Sequence, residues 1–448
     1  MKQFALLLAA LLVLAGCRKD GADDRDFLLD QQLETALNDA SNGNGRDFYR
    51  LPASNDYSNI PQDPNNPITQ KKVALGELLF HETGLAKDAM LDEGMNTFSC
   101  ASCHFASAGF QAGRVQGIGD GGLGFGLNGE GRIKNPNYKA EDMDVQPIRS
   151  PSAMNGAYQT NMLWNGQFGA TGVNEGTEAL WPDETPIAKN RLGFEGLETQ
   201  AIAGLTVHRM DDIKDFITNS DYKSMFDEVF GESPEAERYD VKHAGLAIAA
   251  YERTLLSNKA PFQMWLNGNE TALTDDEKRG ALLFFGKANC SNCHNGPALS
   301  AMSFEAIGMK DLHMIAETTF GTGPEQGANL GRGGFTKNAA DNYKFKVPQL
   351  YNLADSPFYG HGSSFRTIRE VIEYKNKAIA ENSNVPTSQL SDEFVPLNLS
   401  KQEIDQLTAF LQTGLRDPGL KRYQPDALLS GNCTPNNDYM AKGDLGCN

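Results

Sequence analysis

Two short stretches of the chain combine the residue types that attach a haem group covalently. They are Cys100-Ala101-Ser102-Cys103-His104 and Cys290-Ser291-Asn292-Cys293-His294. In a C-x-x-C-H motif the two thiols add to the two vinyl groups of one porphyrin, and the adjacent imidazole becomes an axial ligand of the iron. The motifs therefore predict two covalently bound haem c groups, with His104 and His294 as iron ligands.

Two other uses of paired cysteines have to be weighed against this interpretation. A zinc site needs two cysteine pairs close together, whereas Cys100 and Cys290 are 190 residues apart in the sequence. A thioredoxin-type C-x-x-C pair is the other alternative. A His directly after both pairs favours haem attachment over either one.

The chain length limits the number of domains, and the net charge limits the kinds of binding partner. A chain of 448 residues is long enough for two or three domains with separate cores. Its net charge of −18 and isoelectric point near 4.9 argue against nucleic-acid binding, which needs clustered Lys and Arg. An acidic surface instead steers a basic soluble partner protein towards it.

The first residues have the pattern of a bacterial lipoprotein signal. A positive start is followed by an apolar run over residues 4–15 and by Leu14-Ala15-Gly16-Cys17. The run is too short to cross a bilayer of about 30 Å. We therefore predict a signal peptide over residues 1–16, lipid attachment at Cys17, and a lipid-anchored protein on the periplasmic or cell-surface face of a bacterial membrane. The polar residues 17–66 are predicted to form a tether.

Each haem motif follows a predicted helix, and the two helices are alike. Residues 75–80, Leu-Gly-Glu-Leu-Leu-Phe, resemble residues 279–284, Arg-Gly-Ala-Leu-Leu-Phe, and a capping box at Thr274 opens the second helix. This internal repeat predicts an N-terminal haem domain over 67–257 and a C-terminal haem domain over 258–425. Residues 426–448 form a tail, in which Cys433 and Cys447 are predicted to form a disulfide worth about 3 kcal/mol.

Several further stretches resemble the bacterial di-haem cytochrome c peroxidase family, which includes MauG-like enzymes. The similarity runs from about residue 71 to residue 415, and the order of the stretches carries it. The stretches are residues 74–80, 148–155, 163–166, 197–201, 246–255, 330–332 and 345–348. The resemblance implies a mainly α fold of two cytochrome c-like helical haem domains with long loops, related by the internal repeat.

In the family that this chain resembles, the first haem reacts with peroxide. Typical members fill the free position of that iron with a loop His, but residues 105–207 contain no His. The resemblance therefore implies an open position opposite His104. His81 stands where the family usually has Asp, and it is an alternative ligand, although we expect a surface or supporting role.

Peroxide cleavage also needs a proton carried from one oxygen to the other, which a carboxylate near the iron can do. Glu198 matches the family's acid–base Glu, and a solvated helix residue is the alternative. The family's nearby Gln is replaced by Met162, whose thioether cannot donate a hydrogen bond. His208 is a candidate to compensate, although a lone His is more often structural.

The second haem differs from the typical family pattern at its sixth ligand. Residues 356–362, Ser-Pro-Phe-Tyr-Gly-His-Gly, align with a stretch whose Met ligates the iron, and Tyr359 takes the place of that Met. MauG-like members also have Tyr there, and a phenolate ligand lowers the reduction potential relative to a thioether. We expect Tyr359 to be the ligand, with His361 as the alternative. The resemblance also implies electron relay through Trp164 and a calcium ion between the domains.

These features predict an enzyme that reduces hydrogen peroxide at the His104 haem. The second haem would supply or store an oxidising equivalent, and a small cytochrome c or a cupredoxin would donate electrons. One alternative is a MauG-like oxidase that modifies Trp or Tyr of a partner protein. The other is a di-haem electron carrier without catalytic activity.

Overall fold

The computed structural model describes residues 20–447, with side chains from residue 28 onwards. The predicted signal peptide and Cys17 lie outside the described residues. The described chain is mainly helical, which confirms the predicted fold class. Its α-helices are α1 Asp20–Ala40, α2 Gln70–His81, α3 Gly196–Val207, α4 Lys214–Thr218, α5 Tyr222–Phe230, α6 Glu235–Arg238, α7 Val241–Glu252, α8 Pro261–Leu266, α9 Asp275–Phe285, α10 Arg332–Thr336, α11 Ile368–Lys377, α12 Lys401–Ala409 and α13 Tyr439–Leu445.

Between residues 20 and 447, sheet structure is limited to two short antiparallel pairs. β1 (Gly122–Leu123) pairs with β2 (Ile133–Lys134) in the Gly-rich loop after the first haem motif. β3 (Phe304–Glu305) pairs with β4 (Phe345–Lys346) in the loops after the second motif. The long loops therefore have fixed conformations although they contain little regular structure.

In the first domain, α2 leads to the haem motif and crosses α7 at close range. A Cβ atom on Gly76 would overlap the carbonyl oxygen of Ala247 and would lie 2.9 Å from the Cβ atom of Tyr251. Any side chain at position 76 would therefore push the α7 backbone away. On the neighbouring face of α7, Gly245 makes room for Ile202 of α3 in the same way.

The second domain repeats this crossing. α9 leads to the second motif, and a Cβ atom on Gly280 would overlap the carbonyl oxygen of Gln406 in α12 and lie 2.7 Å from the Cβ atom of Phe410. The predicted capping box is present, because the Thr274 side chain accepts a hydrogen bond from the Glu277 amide and Glu277 reaches back. Gly76 and Gly280 occupy equivalent positions in the repeated sequence, and the close crossing of two helices explains why both positions are glycine.

The prediction of a tether over residues 17–66 is wrong for the part that the structure describes. Leu33 and Leu37 of α1 are fully buried, and with Tyr49 and Leu51 they belong to the core of the second domain. Asp30 forms a buried ion pair with Lys278 at 2.8 Å. The segment is polar overall, but its few apolar residues are spaced to form one buried face, which composition alone does not reveal.

The C-terminal tail packs on the first domain rather than on the second. Ser99 directly precedes the first haem motif, and Ser102 lies within it. Both hydroxyl groups donate hydrogen bonds to the carbonyl oxygen of Pro435, at 3.0 and 3.2 Å. Cys433 and Cys447 are joined by a disulfide, and α13 lies between them. Each end of the described chain thus covers the domain that is more distant in sequence.

No helix within residues 20–447 combines the length and the apolar character that a membrane-crossing segment requires.

We predict that Gly280→Ala destabilises the protein by about 1–3 kcal/mol, because the added methyl group overlaps the α12 backbone. Gly443→Ala is the matched control. Gly443 lies in α13 with open space around its Cβ position, and Ala there should be neutral or stabilising by roughly 0.5–1 kcal/mol. Thermal unfolding of the holoproteins measures both changes. Equal melting temperatures for the two variants would contradict the close crossing.

Leu33→Ala should cost about 2–5 kcal/mol of stability, because Leu33 is fully buried against the second domain. Leu28→Ala, at a position on the same helix that is 54% exposed, should change the stability by less than about 0.5 kcal/mol. Denaturant unfolding compares the two variants. Equal free energies of unfolding for the two variants would show that the segment is a tether.

Candidate haem sites

The imidazoles of the two C-x-x-C-H motifs are oriented in the same way. His104 Nδ1 lies 3.1 Å from the carbonyl oxygen of Phe110. His294 Nδ1 lies 3.0 Å from the carbonyl oxygen of Pro348 and 3.3 Å from that of Leu299. Because a carbonyl oxygen only accepts, each Nδ1 must carry the proton, which leaves the lone pair on Nε2. This is the tautomer that an iron ligand requires.

Electrostatics agree with this tautomer. Burial lowers the pKa of His104 to about 4, although the hydrogen bond to Phe110 acts in the opposite direction. Burial likewise lowers the pKa of His294 to about 4. Both imidazoles are therefore neutral at physiological pH, as metal ligands must be.

None of the four motif cysteines forms a disulfide, and their surroundings differ from those of redox or zinc cysteines. Burial raises the pKa of Cys100 and of Cys103 to about 12, and that of Cys290 to about 11. A thioredoxin-type nucleophile needs a lowered thiol pKa instead. Among residues 20–447, no group of three or more His, Cys, Asp or Glu side chains converges to hold a metal ion. The residues therefore fit haem attachment and fit neither alternative.

The second motif opens into a cavity of about 300 Å³. This volume is at the lower end of the range for small-molecule and cofactor sites, roughly 300–1,000 Å³. The cavity brings together residues that are far apart in sequence. Among its lining residues are Cys290, Cys293, His294, Tyr359, His361 and Trp164. Apart from these groups, its wall is mainly apolar, with side chains such as Phe284, Leu407 and Leu411.

Beyond the motifs, the two halves share a second pattern in which equivalent residues are 197 positions apart. The Pro348 carbonyl oxygen accepts a hydrogen bond from His294 Nδ1, and the Pro151 carbonyl oxygen acts to raise the pKa of His104. Both asparagines adopt a left-handed conformation with φ of 57°. The last two members form an isolated antiparallel bridge in each half. The equivalent pairs are Pro151 and Pro348, Asn155 and Asn352, Met162 and Tyr359, and Phe168 and Phe365.

This pattern makes Met162 the counterpart of Tyr359. Met162 is 9% exposed, packs with Leu197 in the core of the first domain and also lies among the residues that line the second cavity, where Tyr359 is half-buried. The two halves therefore have the same scaffold but carry a thioether in one and a phenol in the other. The offset of 197 residues was present in the sequence, but it becomes convincing only with the matching backbone conformations.

His361 already has a hydrogen-bond partner and a stacking partner within the protein. Its Nε2 lies 3.0 Å from Asp311 Oδ1, and its ring stacks on Phe345 with the centroids 3.6 Å apart. Asp311 also accepts a hydrogen bond from Asn382. This arrangement buries His361 to 6% exposure and fixes its ring against the cavity wall.

Tyr359 is less constrained. Its hydroxyl donates one hydrogen bond, of 2.9 Å, to the carbonyl oxygen of Leu353. Burial raises the pKa of Tyr359 to about 12, while the positive charge of Arg149 acts in the opposite direction. The phenol is therefore protonated in the free protein, and its oxygen lone pairs have no donor among the described residues.

Trp164 and Arg149 lie between the two sites. Trp164 lines the second cavity, and its Nε1 donates a 2.8 Å hydrogen bond to the carbonyl oxygen of Arg149. The buried Arg149 guanidinium donates to the carbonyl oxygen of Arg114, in the loop after the first motif, and to Ser356 near Tyr359. Its charge lowers the pKa of His104 as well as that of Tyr359. Leu163, next to Trp164, packs on the core of the first domain.

Glu198 is fully buried in an ion pair. Arg253, directly after α7, binds both carboxylate oxygens, at 2.9 Å from Nε and 2.7 Å from Nη2, and Asn66 donates to Oε1 at 3.1 Å. The alternative of a solvated helix residue is therefore wrong. The pair fastens α3 to α7, and removing one partner of such a pair typically costs about 3–5 kcal/mol.

His81 is also buried, so of the expected surface or supporting role only the supporting role remains. Its Nδ1 lies 2.8 Å from the carbonyl oxygen of Glu77, and its Nε2 has no hydrogen-bond partner among the described residues. Burial lowers the pKa of His81 to about 4. It belongs to the end of α2 behind the first motif and packs edge-on against Tyr251.

His208, by contrast, has a polar partner and an accessible surface. Its Nδ1 lies 2.9 Å from both carboxylate oxygens of Asp144, and 35% of its side chain is exposed. It is close enough to the first motif for its charge to lower the pKa of His104. The sequence contained only a weak signal for it, namely that it is the first His after the motif.

Comparison with known proteins points in the same direction as these sites. Residues 70–271 match the family model described as di-haem cytochrome c peroxidase. The methylamine utilization protein MauG of Methylorubrum extorquens is 28% identical over 372 residues, which cover 83% of this chain and 84% of that protein. The cytochrome c peroxidase Ccp of Escherichia coli is 29% identical over 369 residues, which cover 81% of this chain and 63% of that protein.

A solved structure shows the same fold. The crystal structure of a MauG-like protein associated with microbial copper homeostasis superposes with a TM-score of 0.58 at 24% identity, over 83% of this chain and 95% of that one. The paired motifs, the duplicated scaffold and these similarities agree. The chain is similar to di-haem cytochrome c peroxidases and MauG proteins over more than 80% of its length, and its two C-x-x-C-H motifs fit two c-type haems.

Proposed function

We propose that the protein reduces hydrogen peroxide at the haem held by Cys100, Cys103 and His104. The observation that carries this proposal is the asymmetry of the duplicated scaffold, in which equivalent positions carry Met162 in the first half and Tyr359 in the second. A phenol oxygen is a good ligand for ferric iron, so Tyr359 is the sixth ligand that we propose for the second haem. The equivalent position of the first half carries only a thioether, packed among apolar side chains.

When bound, each haem supplies an iron that exchanges electrons, and an iron with a free position can bind peroxide. The chain's own residues make the two sites different. His104 and His294 are both held as neutral ligands by backbone carbonyl oxygens. Residues 105–207 contain no His that could fill the free position at the first site. An open position at the first site is therefore part of the proposal.

Electrons would reach the first site from the second through Trp164. This part of the proposal is supported by its position on the cavity wall, by its hydrogen bond to Arg149 and by the contacts of Arg149 on both sides. Trp164 also meets His361 edge to face, with the centroids 6.4 Å apart. A small cytochrome c or a cupredoxin is the electron donor that the acidic surface would attract.

The acid–base role predicted for Glu198 stays a prediction. Its carboxylate is fully enclosed, and both oxygens are bound by Arg253. Proton transfer through Glu198 would therefore require this ion pair to open. The contacts of Glu198 also explain its presence without any catalytic role, because they join α3, α7 and Asn66.

A MauG-like oxidation of Trp or Tyr on a partner protein is the second candidate function. Tyr359 favours it, because a phenolate ligand stabilises the oxidised iron and so helps to store an oxidising equivalent. The relative from Methylorubrum extorquens carries a name from methylamine utilization. Both functions begin with peroxide at the first site and differ in the source of the electrons.

Location outside the cytoplasm, attached to a bacterial membrane by lipid at Cys17, belongs to the proposal as well. It is supported by the lipoprotein pattern of residues 14–17 and by the covalent mode of haem attachment. The calcium ion implied by the family resemblance stays a prediction.

The proposal is tested by mixing the holoprotein with hydrogen peroxide and a reduced small cytochrome c and following the oxidation of the cytochrome. We expect two cytochromes oxidised per peroxide, because reduction of peroxide to water takes two electrons. Trp164→Phe should slow this turnover. Trp181→Phe is the matched control, since Trp181 is buried and its indole N–H donates to Thr177 in its own loop.

The outcomes separate the candidate functions. Peroxide consumption without any oxidation of small donor proteins would favour the MauG-like activity. Absence of any reaction with peroxide would leave the electron carrier. Equal rates for Trp164→Phe and Trp181→Phe would contradict the relay without affecting the peroxidase proposal.

A further inference from the structure

One face of α3 and the residue that follows it carry side chains with unused hydrogen-bonding groups. Gln200, Gly204 and His208 recur at intervals of four residues, so they lie on the same side of the helix. A Cβ atom on Gly204 would lie 3.5 Å from Gln200 Nε2 and 4.0 Å from His208 Cδ2. Neither the Gln200 amide nor His208 Nε2 has a hydrogen-bond partner among the described residues. The glycine leaves open space between two polar groups.

This face begins at the core that packs on the first haem motif. Leu197, three residues before Gln200, lies beside Met162 around Gly156: the Cβ position of Gly156 lies 3.2 Å from Leu197 Cδ2 and 3.6 Å from Met162 Cε. Both side chains belong to the core cluster against which Cys100 of the motif packs, so the α3 face starts next to the first site.

His208 is held in one tautomer. Asp144 accepts from Nδ1 through both carboxylate oxygens at 2.9 Å, so Nε2 carries the lone pair whenever the imidazole is neutral. The Asp144 backbone is fixed in turn, because its N–H donates to the Asp120 carbonyl oxygen and its own carbonyl oxygen accepts from Gly119. A Cβ atom on Gly119 would overlap the Asp144 carboxylate, so glycine is needed there.

The loop that contacts Asp144 also contacts the first haem motif, because a Cβ atom on Gly117, two residues before Gly119, would lie 2.7 Å from Cys103 Sγ. The electrostatics agree with this position. The charge of His208 lowers the pKa of His104, and the charge of Asp144 raises the pKa of Cys103. Burial lowers the pKa of His208, but the charge and hydrogen bond of Asp144 outweigh burial, and the net shift is upwards. Glu252, whose charge acts on Cys100, is a poorer candidate because its unpaired Oε2 has no accessible surface.

We propose that His208, oriented by Asp144, is the catalytic acid–base residue of the first site, with Gln200 as a hydrogen-bond donor beside it. This inference rests on the proposed peroxidase function. His208 Nε2 takes a proton from one oxygen of hydrogen peroxide and gives it to the other. The O–O bond then breaks and the protonated oxygen leaves as water. Two electrons from the donor protein and two protons from solvent convert the remaining oxygen into a second water.

The test compares three variants of the holoprotein with both haems attached: His208→Gln, Asp144→Asn and, as the control, His243→Gln. His243 belongs to a matched His–Asp pair away from both motifs, with Nδ1 2.8 Å from Asp240. The first readout is the rate at which cyanide binds the ferric first haem. Cyanide enters as HCN and must pass its proton to a base, so this readout does not depend on peroxide turnover.

We expect His208→Gln to slow cyanide binding and to lower kcat/KM for peroxide by about 100-fold or more, the usual contribution of a positioned acid–base group. Asp144→Asn should have a similar effect, because an Asn amide can donate to Nδ1 and move the proton to Nε2. His243→Gln should match the wild type in both measurements.

Equal cyanide rates for His208→Gln and His243→Gln would overturn the proposal. It would also be overturned if His208→Gln changed the spin state of the ferric first haem, because His208 would then be an iron ligand. A wild type that binds cyanide quickly but never consumes peroxide would contradict the proposed function, while the cyanide rates would still decide the role of His208.

Discussion

One hydrogen bond in each half of the protein fixes the axial histidine of a haem site. Nδ1 of the motif imidazole donates to a backbone carbonyl oxygen, that of Phe110 in the first half and that of Pro348 in the second. Tyr359 follows Pro348 by eleven residues. In the second half, the segment that orients His294 therefore also carries the residue that we place on the other side of the iron. Both halves keep a carbonyl-bound imidazole, together with the glycine-mediated helix crossing beside it.

With the scaffold duplicated, the differences between the halves determine the chemistry. The first half combines an apolar Met162 with a polar face on α3, where Gln200 and His208 have unused hydrogen-bonding groups. The second half combines Tyr359 with a His361 that is bound to Asp311 and stacked on Phe345. Trp164 and Arg149 lie where the two halves meet. In this arrangement the first site is suited to binding and protonating a small molecule, and the second to storing an oxidising equivalent.

Much of this could be predicted from the sequence. Each C-x-x-C-H motif has a fixed chemical meaning, and the repeated helix with its capping box at Thr274 was visible from local patterns. The packing of residues 20–66 was not visible, because residues of that segment contact partners more than 200 positions away, as in the ion pair of Asp30 with Lys278. The ion pair of Glu198 with Arg253 and the contact of His208 with Asp144 also join distant segments, and no local signal specifies them. The equivalence of Met162 and Tyr359 needed backbone conformations as well as spacing.

The claim that one scaffold gives two different iron environments is tested most directly by electron paramagnetic resonance of the ferric holoprotein. The account predicts a high-spin signal from the first haem that Met162→Leu leaves unchanged, and a signal from the second haem that Tyr359→Phe alters. Two low-spin signals in the wild type, or a second-haem signal that ignores Tyr359→Phe and responds to His361→Asn, would contradict it.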